Sequence, residues 1–67
     1  MDYLKIIELT NKCQLKRQQA NECYRMIGHL RNNKPEVVVF LQEQAEDYES
    51  DLRMLEMKLI KMIESNN

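Results

Sequence analysis

Two apolar stripes meet head to head at a single proline in this chain. The first is Ile6, Leu9, Cys13, Lys16, Ala20, Cys23, Ile27 and Leu30; the second is Val38, Leu41, Ala45, Tyr48, Leu52, Leu55, Leu59 and Met62. Both advance by alternating steps of 3 and 4 residues. That rhythm keeps one side of an α-helix apolar and turned toward a partner helix, as at the a and d positions of a coiled coil. Counted outward from Asn32-Asn33-Lys34-Pro35, the stripes pair rung by rung, each rung summing to 68, from Leu30 with Val38 to Ile6 with Met62. A chain with this symmetry folds back on itself. The expected fold is all-α: an antiparallel two-helix coiled-coil hairpin, a single domain over residues 1–67.

Local signals place the ends. The first helix is expected from about 2 to 32, with Asp2 suited both to the N-cap and to the positive end of the helix dipole. Asn32 or Asn33 suits a left-handed stop. Pro35 disfavours helical angles at Lys34 and fits the first turn of a second helix, from about 35 to 64. Asn33 with Glu36 has the spacing of a capping box. Val37-Val38-Val39-Phe40-Leu41 alone reads as a strand. The heptad passes through it unbroken, however, and there is no second strand to pair with it. The C-terminal Ser65-Asn66-Asn67 is expected to fray.

The rungs carry their own chemistry. Ala20 faces Tyr48, small against large, and Cys23 faces Ala45, so the helices can approach closely there. Lys16 faces Leu52 and is the one polar intruder; its stem can cover the leucine while the ammonium reaches the edge. Such a residue in a seam acts as a register device. Arg17 lies opposite Glu49 and Glu56, and Lys12 near Asp51. Charge supports the same pairing: residues 1–34 carry a net +4 and residues 35–67 a net −5. Gly28 is either a point of close approach for another backbone or a tolerated cost near the helix end.

Sixty-seven residues bury too little surface for a lone hairpin to be comfortable. A disulfide does not supply the deficit. Cys13 and Cys23 are about 15 Å apart along one helix, beyond disulfide reach. Two free thiols point to a reducing compartment, and so to the cytoplasm. No signal peptide or membrane span is read: Asp2, Lys5 and Glu8 interrupt the start of the chain. Another chain is the remaining way to complete the fold.

The seam leaves apolar residues over. Tyr3, Leu4 and Ile7 remain near the start, and Met54, Met57, Ile60 and Ile63 near the end, which a hairpin brings together. Val37, Val39 and Phe40 form a second group at the turn, with Tyr24 and Met26 between. Exposed patches of this kind mark interfaces. The economical solution is a second copy, giving a four-helix bundle; the competing one is a different protein. The partner-binding residues are taken as Tyr3, Leu4, Ile7, Met57, Ile60 and Ile63. Glu43, Asp47 and Asp51, at i, i+4 and i+8, form a secondary acidic patch.

No catalytic set is found. His29 falls at an outward position without a second ligand, Cys13 and Cys23 sit in the seam, and Gly28 is the only glycine, so no phosphate loop exists. No metal or other cofactor is implied. In size the chain is similar to the small helical-hairpin aspartyl phosphatases of the sporulation phosphorelay. Their Ser-Gln-Glu-Leu-Asp motif is absent: Glu49-Ser50-Asp51-Leu52-Arg53 departs in order and spacing, and no activity is carried over. The expected function is a non-enzymatic protein-interaction module, a small regulator, inhibitor or assembly subunit. Such a length suits phage or bacterial accessory proteins. The alternative is a nucleic-acid-binding accessory protein gripping phosphates with Lys5, Lys12, Arg25, Arg31 and Lys34. The acidic pI of about 5.8 weighs against it.

Overall fold

The computed structural model describes residues 2–30 and 32–65. It contains two helices, α1 (Tyr3–Leu30) and α2 (Pro35–Ser65), packed against each other as a hairpin. The Cα envelope measures 51 × 14 × 11 Å, with a radius of gyration of 15.4 Å. A globular chain of this length has a radius of about 11 Å. The molecule is therefore a rod two helices wide, and every core residue lies in one seam.

The seam is the one the heptads require. Every a and d position from Ile6 to Leu30 and from Val38 to Met62 is buried or half-buried. The other described residues that are not exposed are Thr10, Gln19, Gln44, Glu49 and Glu56, all at flanking e or g positions. Burial is uneven along the rod. Cys23, Ile27, Leu41 and Ala45 form the core cluster, with Leu30, Val38 and Tyr48 packed against it. Ala45 is 0% exposed and Ala20 4%. Small side chains at these rungs bring the backbones together, and close helices cover their neighbours. Toward the open end the rungs are Leu9, Leu52, Leu55 and Leu59, and these bulkier side chains are only half-buried. One partner helix cannot wrap a leucine on all sides.

The caps differ in part from the sequence reading. Asp2 does cap α1: its Oδ1 accepts from the Lys5 amide at 3.2 Å, and its carbonyl from the Ile6 amide at 3.2 Å. At the turn α1 is described to Leu30 and Asn32 already belongs to the turn; the Leu30 carbonyl accepts from the Asn33 and Lys34 amides, each at 3.0 Å. The left-handed asparagine is not used, for no described non-glycine residue has positive φ. Nor does Asn33 cap α2. The Lys34 carbonyl accepts from the Val37 and Val38 amides at 3.1 and 3.2 Å, which makes Lys34 the N-cap and Pro35 the first helical residue. Shifting the cap by one residue takes Asn33 and Glu36 out of capping-box register. Val37 to Leu41 is helical throughout.

Lys16 behaves as a seam intruder should. Its Nζ lies 3.4 Å from Asp51 Oδ2 and 5.4 Å from the centroid of the Tyr48 ring. It thereby takes the acid that the sequence reading gave to Lys12. Arg17 reaches Glu56 at 4.0 Å and not Glu49, which is engaged by Tyr24. Cys13 and Cys23 are buried free thiols.

Two substitutions test this packing. Ile27 is 3% exposed, so Ile27→Ala should lower stability by about 2–5 kcal/mol, whereas half-buried Leu52→Ala should cost clearly less. Equal losses in denaturant titrations would contradict the uneven core. A Cβ built on Gly28 meets nothing within 4 Å, so no backbone of this chain crosses there. Gly28→Ala should therefore raise stability by about 1 kcal/mol, or about 4–8 °C in Tm.

Candidate interaction site

In an antiparallel pair the e positions of both helices flank the seam on one side and the g positions on the other. The contacts agree. Tyr24 Oη donates to Glu49 Oε1 at 2.6 Å and Arg17 pairs with Glu56, all four residues at e positions. Lys12, Asp51 and Lys58, all at g, line one groove. The hairpin thus has an e side and a g side with different chemistry.

The e side is apolar at the open end. Tyr3 and Ile63 fall at e, and Ile7 and Ile60 at b, the next position round the same side. Leu4 and Met57, at f, lie on the outer backs of the helices. These six residues are 40–75% exposed. The helical repeat thus groups four of the six on one side and sets two at its margin. The reason is geometric. A two-helix seam consumes a and d positions, so apolar residues at b, e and f stay in solvent until something else covers them.

The g side is amphiphilic. A groove of about 260 Å³ has Leu15, Met54 and Leu55 as its floor and Lys12, Lys16, Lys58 and Asp51 as its rim. Leu15, 52% exposed, escaped the sequence reading. Its signal was an apolar residue at a c position between two lysines. A second groove continues toward the turn past Gln19 and Met26 to Tyr48.

The acidic ridge crosses from the outer back of α2 onto this side, with Glu43 at f, Asp47 at c and Asp51 at g. Asp51 is held by Lys16. Glu43 and Asp47 are exposed and make no ion pair among the described residues. No group of His, Cys, Asp or Glu among the described residues has the arrangement to hold a metal ion. Of the basic residues considered for nucleic acid, Lys5 and Lys12 share the g side. Arg25, at f, is bound to Glu22 at 2.7 Å, and Lys34 lies at the turn. Arg31 lies outside the described residues. No described helix is long and apolar enough to cross a membrane.

The Tyr24 hydroxyl titrates above the ordinary tyrosine value of 10.0. The chief cause is its hydrogen bond to Glu49, which ionisation would destroy; desolvation and the negative charges of Glu49 and Glu46 add to it.

The chain matches no protein-family model, no curated protein and no solved structure.

The Tyr24 link has a signed consequence. A group with a raised folded pKa contributes stability that is complete below the ordinary value and is lost as pH rises through the raised one. Glu49→Gln should bring one tyrosine back toward the ordinary range in an ultraviolet titration. An unchanged titration curve would mean that the bond does not persist in solution.

Proposed function

We propose that this chain is a non-enzymatic protein-interaction module: a small regulator, inhibitor or assembly subunit that acts through helix–helix packing. Its partner in this reading is a second copy of itself, another protein, or both. One observation carries the proposal. Tyr3, Ile7, Ile60 and Ile63 share one side of the open end, flanked by Leu4 and Met57, and all six are exposed. Side chains at helical spacing on two neighbouring helices form ridges and a groove. The matching partner surface is an amphipathic helix with apolar residues at i, i+3, i+4 and i+7. Met57 suits such a contact, because its unbranched thioether adapts to different shapes.

The other classes receive less support. Enzymes enclose substrates in clefts, and a rod with backbone extents of 14 × 11 Å across has little depth for one. Nucleic-acid binding calls for cations gathered on one side. Here Lys5, Lys12, Lys58 and Lys61 do share the g side of the open end, but Arg17 and Arg25 are ion-paired, Lys16 is drawn into the seam, and the same side turns acidic toward the turn with Glu22, Asp47 and Asp51. Two free buried thiols fit a reducing compartment, so we place the protein in the cytoplasm.

Ile7→Asp with Ile60→Asp is the informative double variant. Both positions are exposed, so circular dichroism should show helicity retained. Capture from a lysate of the source organism, compared with the wild-type chain, should lose specific protein partners. An identical captured set would contradict the proposal. Capture of nucleic acid with affinity falling steeply in salt would favour the alternative.

A further inference from the structure

We propose that a second copy of this chain packs on the g side, antiparallel, about a two-fold axis at the level of Leu15 and Met54. The inference deepens the interaction-module reading by assigning the self-partner its own face, opposite the apolar e side.

The area argues for a missing partner. A compact monomer of 8.1 kDa exposes about 4500 Å² on the mass scaling of folded proteins. This hairpin exposes 5350 Å², an excess of about 850 Å². Each partner in a standard interface covers about 800 Å².

The g side also has a centre of symmetry. Leu15 on α1 and Met54 on α2 sum to 69, within one residue of a seam rung, so they stand at the same level of the rod. They share the floor of one groove and are 52% and 59% exposed. Charge divides at that level. Toward the open end stand Lys5, Lys12, Lys58 and Lys61, with Glu8 the one acid. Toward the turn stand Glu22, Asp47 and Asp51.

A two-fold axis lying in the interface and crossing the helices at this level sets α2 antiparallel to the partner's α2. Asp47 lies seven residues before Met54 and Lys61 seven after; Asp51 lies three before and Lys58 four after. The axis thus brings Asp47 against the partner's Lys61 and Asp51 against the partner's Lys58, each pair formed twice. Met54 and Leu15 meet their own counterparts on the axis. A parallel pairing would set lysine on lysine. On α1 the same axis sets Glu8, seven residues before Leu15, against the partner's Glu22, seven after, a like-charge contact softened by the Arg25 that already holds Glu22. Asp51 is likewise shared with Lys16, so the Asp47–Lys61 pairs carry most of the selectivity. Asp47 and Lys61 are both exposed, with no ion pair among the described residues.

The test is a charge swap read by sedimentation equilibrium. The wild-type chain should give twice its 8.1 kDa mass, dissociating on dilution and more readily as salt rises. Asp47→Lys alone, or Lys61→Glu alone, should weaken self-association roughly tenfold or more, since each creates two repulsions. An equimolar mixture of the two variants should dimerise again, because both contacts then join opposite charges. Helicity measured in parallel keeps folding out of the result. A wild-type monomer at the highest concentration would overturn the proposal. So would a dimer indifferent to both reversals, which would move self-association to another face. Ile7→Asp with Ile60→Asp should leave this dimer intact, so the two faces stand or fall separately.

Discussion

Close approach at Ala45 is the contact on which the rest of the hairpin depends. Its side chain is completely covered, opposite Cys23 and one turn from Ala20. Small residues on these rungs permit a close approach of the backbones, and Ile27 and Leu41 are buried in the same cluster beside them. That buried cluster fixes the register of everything farther out. It brings Tyr24 within 2.6 Å of Glu49 and Lys16 within 3.4 Å of Asp51. The ion pairs reach solvent, with only Lys16 half-buried, and exposed pairs are worth about 0–1 kcal/mol each. They follow from the register and sharpen it more than they hold it.

The same geometry leaves the open half incomplete. Beyond Lys16 Cys13 is still buried, but the other rungs carry Ile6, Leu9, Leu55, Leu59 and Met62, and two helices only half-enclose these larger side chains. A rod of this width has no second layer of packing. Half-buried Leu9, Leu55 and Leu59, the apolar e side and the groove at Leu15 are therefore three aspects of one deficit. Small chains meet such deficits with disulfides, metals or other chains. Both cysteines are free, and no described cluster can hold a metal. Association with another chain is the remedy proposed above.

The seam was legible in the sequence because a heptad repeat is a direct record of which side of a helix is covered. Its mirror arrangement about Pro35 gave the hairpin and its rungs. Details decided by competition were less legible. Lys12 and Lys16 lie one turn apart and line the same groove as Asp51; the one drawn into the seam takes it. The heptad register set both Glu49 and Glu56 opposite Arg17, but the Tyr24 hydroxyl occupies Glu49. The asparagine stop failed because the Leu30 carbonyl takes two amide donors with neither Asn32 nor Asn33 left-handed. Leu15 was hidden by its place outside both stripes, between lysines, where an isolated apolar residue looks unremarkable until Met54 is set beside it.

Residue-resolved amide hydrogen exchange at several protein concentrations tests the central claim, a hairpin closed at the turn half and completed elsewhere by association. Amides from Ala20 to Ile27 and from Leu41 to Tyr48 should be the most protected at every concentration. Those from Ile6 to Cys13 and from Leu55 to Met62 should gain protection as concentration rises. Uniform protection along both helices, independent of concentration, would contradict the account.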